Sequence, residues 1–327
     1  MLGVDSRPEI LDEASNEPHP LPDADPDFDL EKEKKQREAD GPLPDTDAVS
    51  KGIGKLNYRA REVPRRTEPP RADVALVTAM QSPELEQGLQ AFSDTWHKEG
   101  REGVVYNVAT LELQESPVTI AAAAQNDIGM VPAAILATKT IQAWRPRLLA
   151  MAGVCAGVRG KVELGDVVVG RQVFDYGAGK REAGNLAPDF QPASLNETIL
   201  SHALALASDR QRLAEIRDLW PIDSGKPRTD LVAHVGPMAS GAAVLADETV
   251  VKDVTDHQRS LIAIDMEAYG VMRAAAAAIR PPATIVVKGV QDFADSAKSD
   301  EHREYAAFVS ARFLYRLLAE SWSQFAL

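Results

Sequence analysis

From Ala72 onward, short runs of β-branched and aliphatic residues alternate with longer segments of helical character, and this alternation restricts the chain to a sheet covered by helices. The run over 73–78, DVALVT, reads as a buried first strand. Further strands are expected over 104–111, 118–124, 148–152, 167–174, 231–236, 260–264 and 283–290. Ser82-Pro83-Glu84 reads as a helix start, with serine as the cap and proline in the first turn. Other helices are expected over 131–143, 194–219, 248–258, 267–279 and 301–323. The alanine-rich 274–278 belongs to a helix whose small side chains let it pack closely on the sheet.

The first fifty residues stand outside that alternation. They hold fifteen acidic and five basic residues, with seven prolines and Phe28 as the only aromatic. Such a stretch cannot bury enough apolar surface to offset the entropy of ordering it. Over 51–71 the balance reverses, with seven basic residues against two acidic, and Pro64, Pro69 and Pro70 close the segment. The expected organisation is a disordered, acidic-then-basic segment over 1–71 and one catalytic domain over 72–327.

Several classes of protein are disfavoured. There is no apolar run of roughly eighteen residues, and the N-terminus is acidic rather than a basic and then apolar leader, so the expected location is the cytoplasm. Cys155 is the only cysteine, and the six histidines form no His-x-x-x-His pair. An internal disulfide and a cysteine-cluster metal site are thereby excluded, and no structural zinc site is expected. The formal net charge of −13 argues against nucleic acid as a general partner.

Four short motifs occur in a fixed order: Ala79-Met80 followed by Glu84, Gly153-Val-Cys-Ala-Gly157, Asp265-Met-Glu267-Ala, and Val290-Gln-Asp292-Phe-Ala-Asp295. Leu164-Gly-Asp166 and Met238-Ala-Ser-Gly241 connect them. In this order the chain, from about 72 to 319, resembles the nucleoside phosphorylase and methylthioadenosine/S-adenosylhomocysteine nucleosidase superfamily. The resemblance implies an α/β fold of three layers, α/β/α, around a mixed, twisted central sheet. It also implies breakage of an N-glycosidic bond with neither a metal nor an organic cofactor, and association as a homodimer.

Breaking that bond leaves the ribose as an oxocarbenium-like cation while the base departs as an anion, so both developing charges must be stabilised. Asp292 stands just past an apolar strand, where a carboxyl group can be partly desolvated and keep its proton for purine N7. By the resemblance, Asp292 is the general acid. Glu267 and Met266 sit at a strand-to-helix junction, and the resemblance gives the glutamate the ribose hydroxyls and the methionine the sugar face. A carboxylate accepting from two vicinal hydroxyls makes strong charge-assisted bonds. Asp295 is expected to brace the turn.

The resemblance places a water-activating glutamate after the first strand in nucleosidases, and a phosphate loop there in phosphorylases. This chain carries Glu84 and Glu86 and no such loop, which favours hydrolysis, with Glu84 preferred over Glu86 as the water-activating residue. Gly153–Val158 reads as a small-residue turn at a strand end, with amides near Cys155, Ala156 and Gly157 facing the ligand. Cys155 is expected to be a small buried residue rather than a nucleophile.

The glycine-rich, basic stretch 174–181 ends in Lys180 and Arg181, cations that could hold an anionic 5′ group. The 240–245 stretch offers no aromatic ring for the base, with Phe293 and Tyr269 as possible substitutes. The expected activity is thus a purine nucleosidase acting on methylthioadenosine or adenosylhomocysteine, or on AMP or ATP as in antiviral effectors. A phosphorylase and an inactive nucleotide sensor whose N-terminal tail binds another protein are the rivals.

Overall fold

The computed structural model describes residues 71–182, 185–222, 224–242, 248–295 and 299–325, with the side chains of 181, 182, 185, 186 and 248–250 outside that description. The segment read as disordered, 1–71, lies outside the described residues except for Arg71. All that follows concerns the unit Glu68–Leu327.

Strand β1 (Val74–Thr78) is buried along its whole length, because both of its faces are covered. Val74 and Leu76 belong to one apolar cluster and Ala75 and Val77 to the other, the two-residue alternation of a strand between helical layers. Next come β2 (His97–Arg101), β3 (Val104–Leu113), β4 (Ser116–Ala124), β5 (Leu148–Gly157) and β6 (Val167–Asp175). A small hairpin of β7 (Gly179–Glu182) and β8 (Asn185–Pro188) follows, then β9 (Ala193–Ser194), β10 (Ala233–Ser240), β11 (Ala263–Asp265) and β12 (Ala283–Asp292). The main sheet has the order β11-β10-β6-β12-β5-β1-β4-β3-β2 and mixes parallel with antiparallel pairs.

The helices are α1 (Glu86–Phe92), α2 (Met130–Trp144), α3 (Glu197–Ser208), α4 (Arg210–Asp218), α5 (Glu248–His257), α6 (Ala268–Ala276) and α7 (Arg303–Ser321). The cluster on one side of the sheet draws on α1, α3, α4 and α7, and the cluster on the other on α2 and α6. The three-layer α/β/α fold with a mixed sheet expected from the sequence is therefore present.

Four expectations need correction. The helix expected over 194–219 is two, because the Asp209 carboxylate accepts from Arg212 N and starts a second helix where the first has ended. The strand expected over 231–236 runs over 233–240, and that expected over 260–264 is confined to 263–265. The polar β2 and the short β7, β8 and β9 carry no apolar alternation and were not expected.

The last correction concerns 153–158, read as a turn. Here β5 continues to Gly157, since β12 pairs with it as far as Asp292 opposite Ala156, and β11 pairs with Ala156 and Gly157 on its other edge. The β11–β5 pairing also closes the path β5-β12-β6-β10-β11 into a ring. Its effect is to gather the C-terminal ends of β5, β11 and β12 at one place, with the end of β1 alongside.

Candidate active site

The gathered strand ends open into a cavity lined by Ala79, Met80 and Glu84 after β1, Val154, Cys155 and Ala156 on β5, Asp265 at the end of β11 with Met266 and Glu267 after it, and Gln291 and Asp292 on β12. Ligands of α/β sheets bind at such carboxyl ends. The three carboxylates singled out in the sequence, Glu84, Glu267 and Asp292, follow three different strands and meet here.

Glu84 is 2% exposed. Its Oε2 accepts from Ala79 N at 2.7 Å and Met80 N at 2.9 Å, and its Oε1 from Val154 N at 2.8 Å. A carboxylate has about four acceptor sites, so three amides fix its orientation and leave room for one more donor. Gly153 makes this position possible, because a Cβ there would lie 2.1 Å from Oε1. Glu86 instead accepts from Ser82 Oγ at the surface.

Glu267 immediately precedes α6 but does not cap it. Asp265 caps the helix instead. Its Oδ2 accepts from Ala268 N at 3.0 Å and its Oδ1 from Ser240 Oγ at 2.6 Å, while Ser240 Oγ accepts from Tyr269 N. The Glu267 carboxylate is thereby available to the cavity, and its Oε1 accepts from Gly129 N at 3.0 Å. Beneath both lies Lys288, fully buried, its Nζ 3.2 Å from Asp265 Oδ2 and 3.6 Å from Glu267 Oε2. Burial acts to lower the Lys288 ammonium, but Asp265, Glu84 and Glu267 together hold it above its ordinary value. Burial, with Asp265 and Glu84 nearby, pushes Glu267 up to about 7 against the opposing pull of Lys288 and the Gly129 amide.

Asp292 ends β12. Its Oδ1 accepts from Ala294 N at 2.8 Å and its Oδ2 from Gln291 Nε2 at 2.9 Å, and Arg303 Nε donates in turn to Gln291 Oε1 at 3.1 Å. In the turn beyond, the buried Asp295 pairs with Arg159, whose guanidinium lies over the Phe293 ring. Asp295 thus sits in the bracing position expected for it. Burial raises the Cys155 thiol well above its usual range, which suits an inert wall residue.

Other expected site residues lie elsewhere. Gly157 faces Val162 and Val290, because β5 has not turned. Lys180 and Tyr269 line a separate groove beside the β7–β8 hairpin, whose two strands pair with each other and not with the main sheet. The Arg181 side chain and residues 243–245 are outside the description, and Phe293 is engaged by Arg159. The sequence reading missed Lys288, Asp265, Gln291 and Arg303 as site residues. Lys288, Asp265 and Gln291 stood within or beside the motifs already quoted, while Arg303 had no local signal, as it reaches the cavity from the first turn of α7.

Comparison with known proteins gives a family and a fold. Residues 73–319 match the model of the phosphorylase superfamily. The chain is 31% identical over 251 residues to the uncharacterized protein y4jS of Sinorhizobium fredii, covering 74% of this chain and 60% of that one. It is 27% identical over 231 residues to the ATP nucleosidase Cap17 of Escherichia coli, covering 67% of this chain and 45% of that one. The chain therefore spans about half to three fifths of the length of these relatives. Among solved structures, the Helicobacter pylori 5′-methylthioadenosine/S-adenosylhomocysteine nucleosidase superposes with a TM-score of 0.60 at 17% identity, over 77% of this chain and 100% of that one. The futalosine hydrolase of the same organism gives 0.58 at 18%, over 76% and 98%. At such identities the likeness is one of fold.

Proposed function

The chain belongs to the phosphorylase superfamily, and on that footing we propose that it is a purine nucleosidase that hydrolyses the N-glycosidic bond of an adenine nucleoside or nucleotide. The observation that carries this reading is the convergence of Glu84, Glu267 and Asp292 on one cavity. Glu267 accepts from the ribose hydroxyls, with Met266 against the sugar. Asp292 gives its proton to the departing base, and Glu84, locked by three amides, holds water for the anomeric carbon.

Hydrolysis is favoured over phosphorolysis by charge. The Glu84 carboxylate, fixed by three amides, faces the position where the nucleophile must sit. A phosphate dianion at that position would be repelled by Glu84, whereas water would not.

For the substrate, the relatives named as ATP nucleosidases support a nucleotide. Lys180 lends no support to it from its separate groove. Among the described residues, the cation lining the cavity is Arg303, which Asp300 and Gln291 already engage. We propose a homodimer formed through the exposed Ile128, Val131 and Ile135 beside the cavity, and a protein-binding role for the N-terminal segment.

The test is incubation with methylthioadenosine, AMP and ATP in phosphate-free buffer, following free base. Release without phosphate, reduced by several orders of magnitude in Asp292→Asn while ligand binding persists, is the expected result. A strict requirement for phosphate, with ribose 1-phosphate as product, would replace the hydrolase by a phosphorylase. Absence of turnover on all three would leave a nucleotide sensor.

A further inference from the structure

Strand β12 contains an irregularity beside the site. Its register against β5 shifts between Val290, opposite Cys155, and Asp292, opposite Ala156. One residue, Gln291, is thereby inserted into the ladder, and in a regular strand it and Asp292 would face opposite sides. Here both line the cavity, and Gln291 is 9% exposed.

The orientation of the Gln291 amide is fixed by chemistry. Arg303 has donors and no acceptor, so the atom that receives its Nε–H must be the carbonyl oxygen Oε1. The NH2 end is then obliged to face Asp292 Oδ2. Arg303 is itself anchored by Asp300 and sits in the first turn of α7, whose Ala306 packs in a cluster with Val154 of β5.

From this geometry we infer that Arg303 and Gln291 are positioning residues for Asp292, forming a directional chain from Arg303 through the bulge to Asp292 Oδ2. The inference rests on Asp292 being the general acid. When Asp292 releases its proton to the base, the carboxylate formed is received by a donor already aimed at it, with no reorientation. Among the described residues, the other charged groups around the cavity are Glu84, Asp265, Glu267 and the underlying Lys288, with the Arg159–Asp295 pair in the following turn. It is Arg303 that fixes the Gln291 amide. Without Arg303 the amide is free to rotate by half a turn and present Oε1 to the acid. It would then hold the proton that should leave.

The experiment measures adenine release against pH, together with thermal stability, for the full chain and its Arg303→Met, Arg303→Lys, Gln291→Leu and doubly substituted forms. Arg303→Met is expected to lower kcat on the order of tenfold, with KM within about twofold, and to move the alkaline limb of the kcat profile to higher pH. Gln291→Leu should do the same, the double variant should be no worse than Gln291→Leu alone, and Arg303→Lys should restore part of the loss. A rise in KM with kcat and pH profile unchanged would make Arg303 a substrate-binding residue and overturn the inference. So would a fall in thermal stability with kcat and pH profile unchanged. Full activity in Asp292→Asn would remove the general-acid reading itself, an outcome distinct from these.

Discussion

Glu84 and Glu86 lie two residues apart, yet one is buried under three backbone N–H donors and the other meets a serine at the surface. In Glu84→Gln the amide nitrogen would face an N–H wherever it is placed, so turnover should fall on the order of 100-fold. Glu86→Gln should stay within about twofold, and an equal loss in both would sink the assignment of the water site. Glu267 brings a pH dependence. Its carboxylate, the form that accepts from hydroxyls, is held back to about 7 by burial, so binding of a non-hydrolysable nucleoside analogue should strengthen as pH rises through about 7. Stability runs the other way. A carboxyl group whose folded value lies above its ordinary 4.5 contributes stability at low pH that is lost as pH rises through about 7. Urea midpoints should therefore fall over that window, and less so in Glu267→Gln.

At the level of elements, the site depends on close backbone approach. Helices α2 and α6 touch where Gly270 meets Met130, and a Cβ on Gly270 would lie 2.3 Å from the Met130 carbonyl oxygen. Backbone on both sides leaves nothing to rotate away. Gly270→Ala should destabilise by about 1–3 kcal/mol in urea denaturation, and wild-type stability would show that the two helices can separate. The same contact positions Gly129 N, the donor to Glu267 that lies just before α2, so ribose binding should weaken with it. The bulge of β12 acts in the same way for Gln291 and Asp292, turning two consecutive residues toward one cavity.

At the scale of the whole molecule, exposed aliphatic residues among the described ones include a group beside the cavity, with Ile128 55%, Val131 71% and Ile135 53% exposed. On helix α2, Val131 and Ile135 fall one turn apart on one face. If this face joins two copies, Val131→Glu should yield monomers in sedimentation that still unfold cooperatively, because the side chain is exposed in a single chain, with a melting temperature lowered only by the lost association. A parent that sediments as a monomer would refute the homodimer.

Much of this was legible in the sequence. The alternation of strand and helix follows from hydrophobic period, a local property, and so do the strands over 74–78, 104–113 and 283–292. The order of four motifs identified the family and named Glu267 and Asp292. What sequence could not decide was contact between residues remote in the chain. Gly153–Val158 looked like a turn because its residues are small, and it is a strand because β11 and β12 pair with it from two sides. Lys288 reads as an ordinary strand lysine until Asp265 and Glu267 come to lie against it, and the burial of Glu84, preferred over Glu86 from the sequence, depends on the amide of Val154, 70 residues away. Period and motif determine which elements form and which chemistry is on offer. Only the closing of the sheet, by bringing distant donors to particular carboxylates, decided which of those groups meet in one cavity.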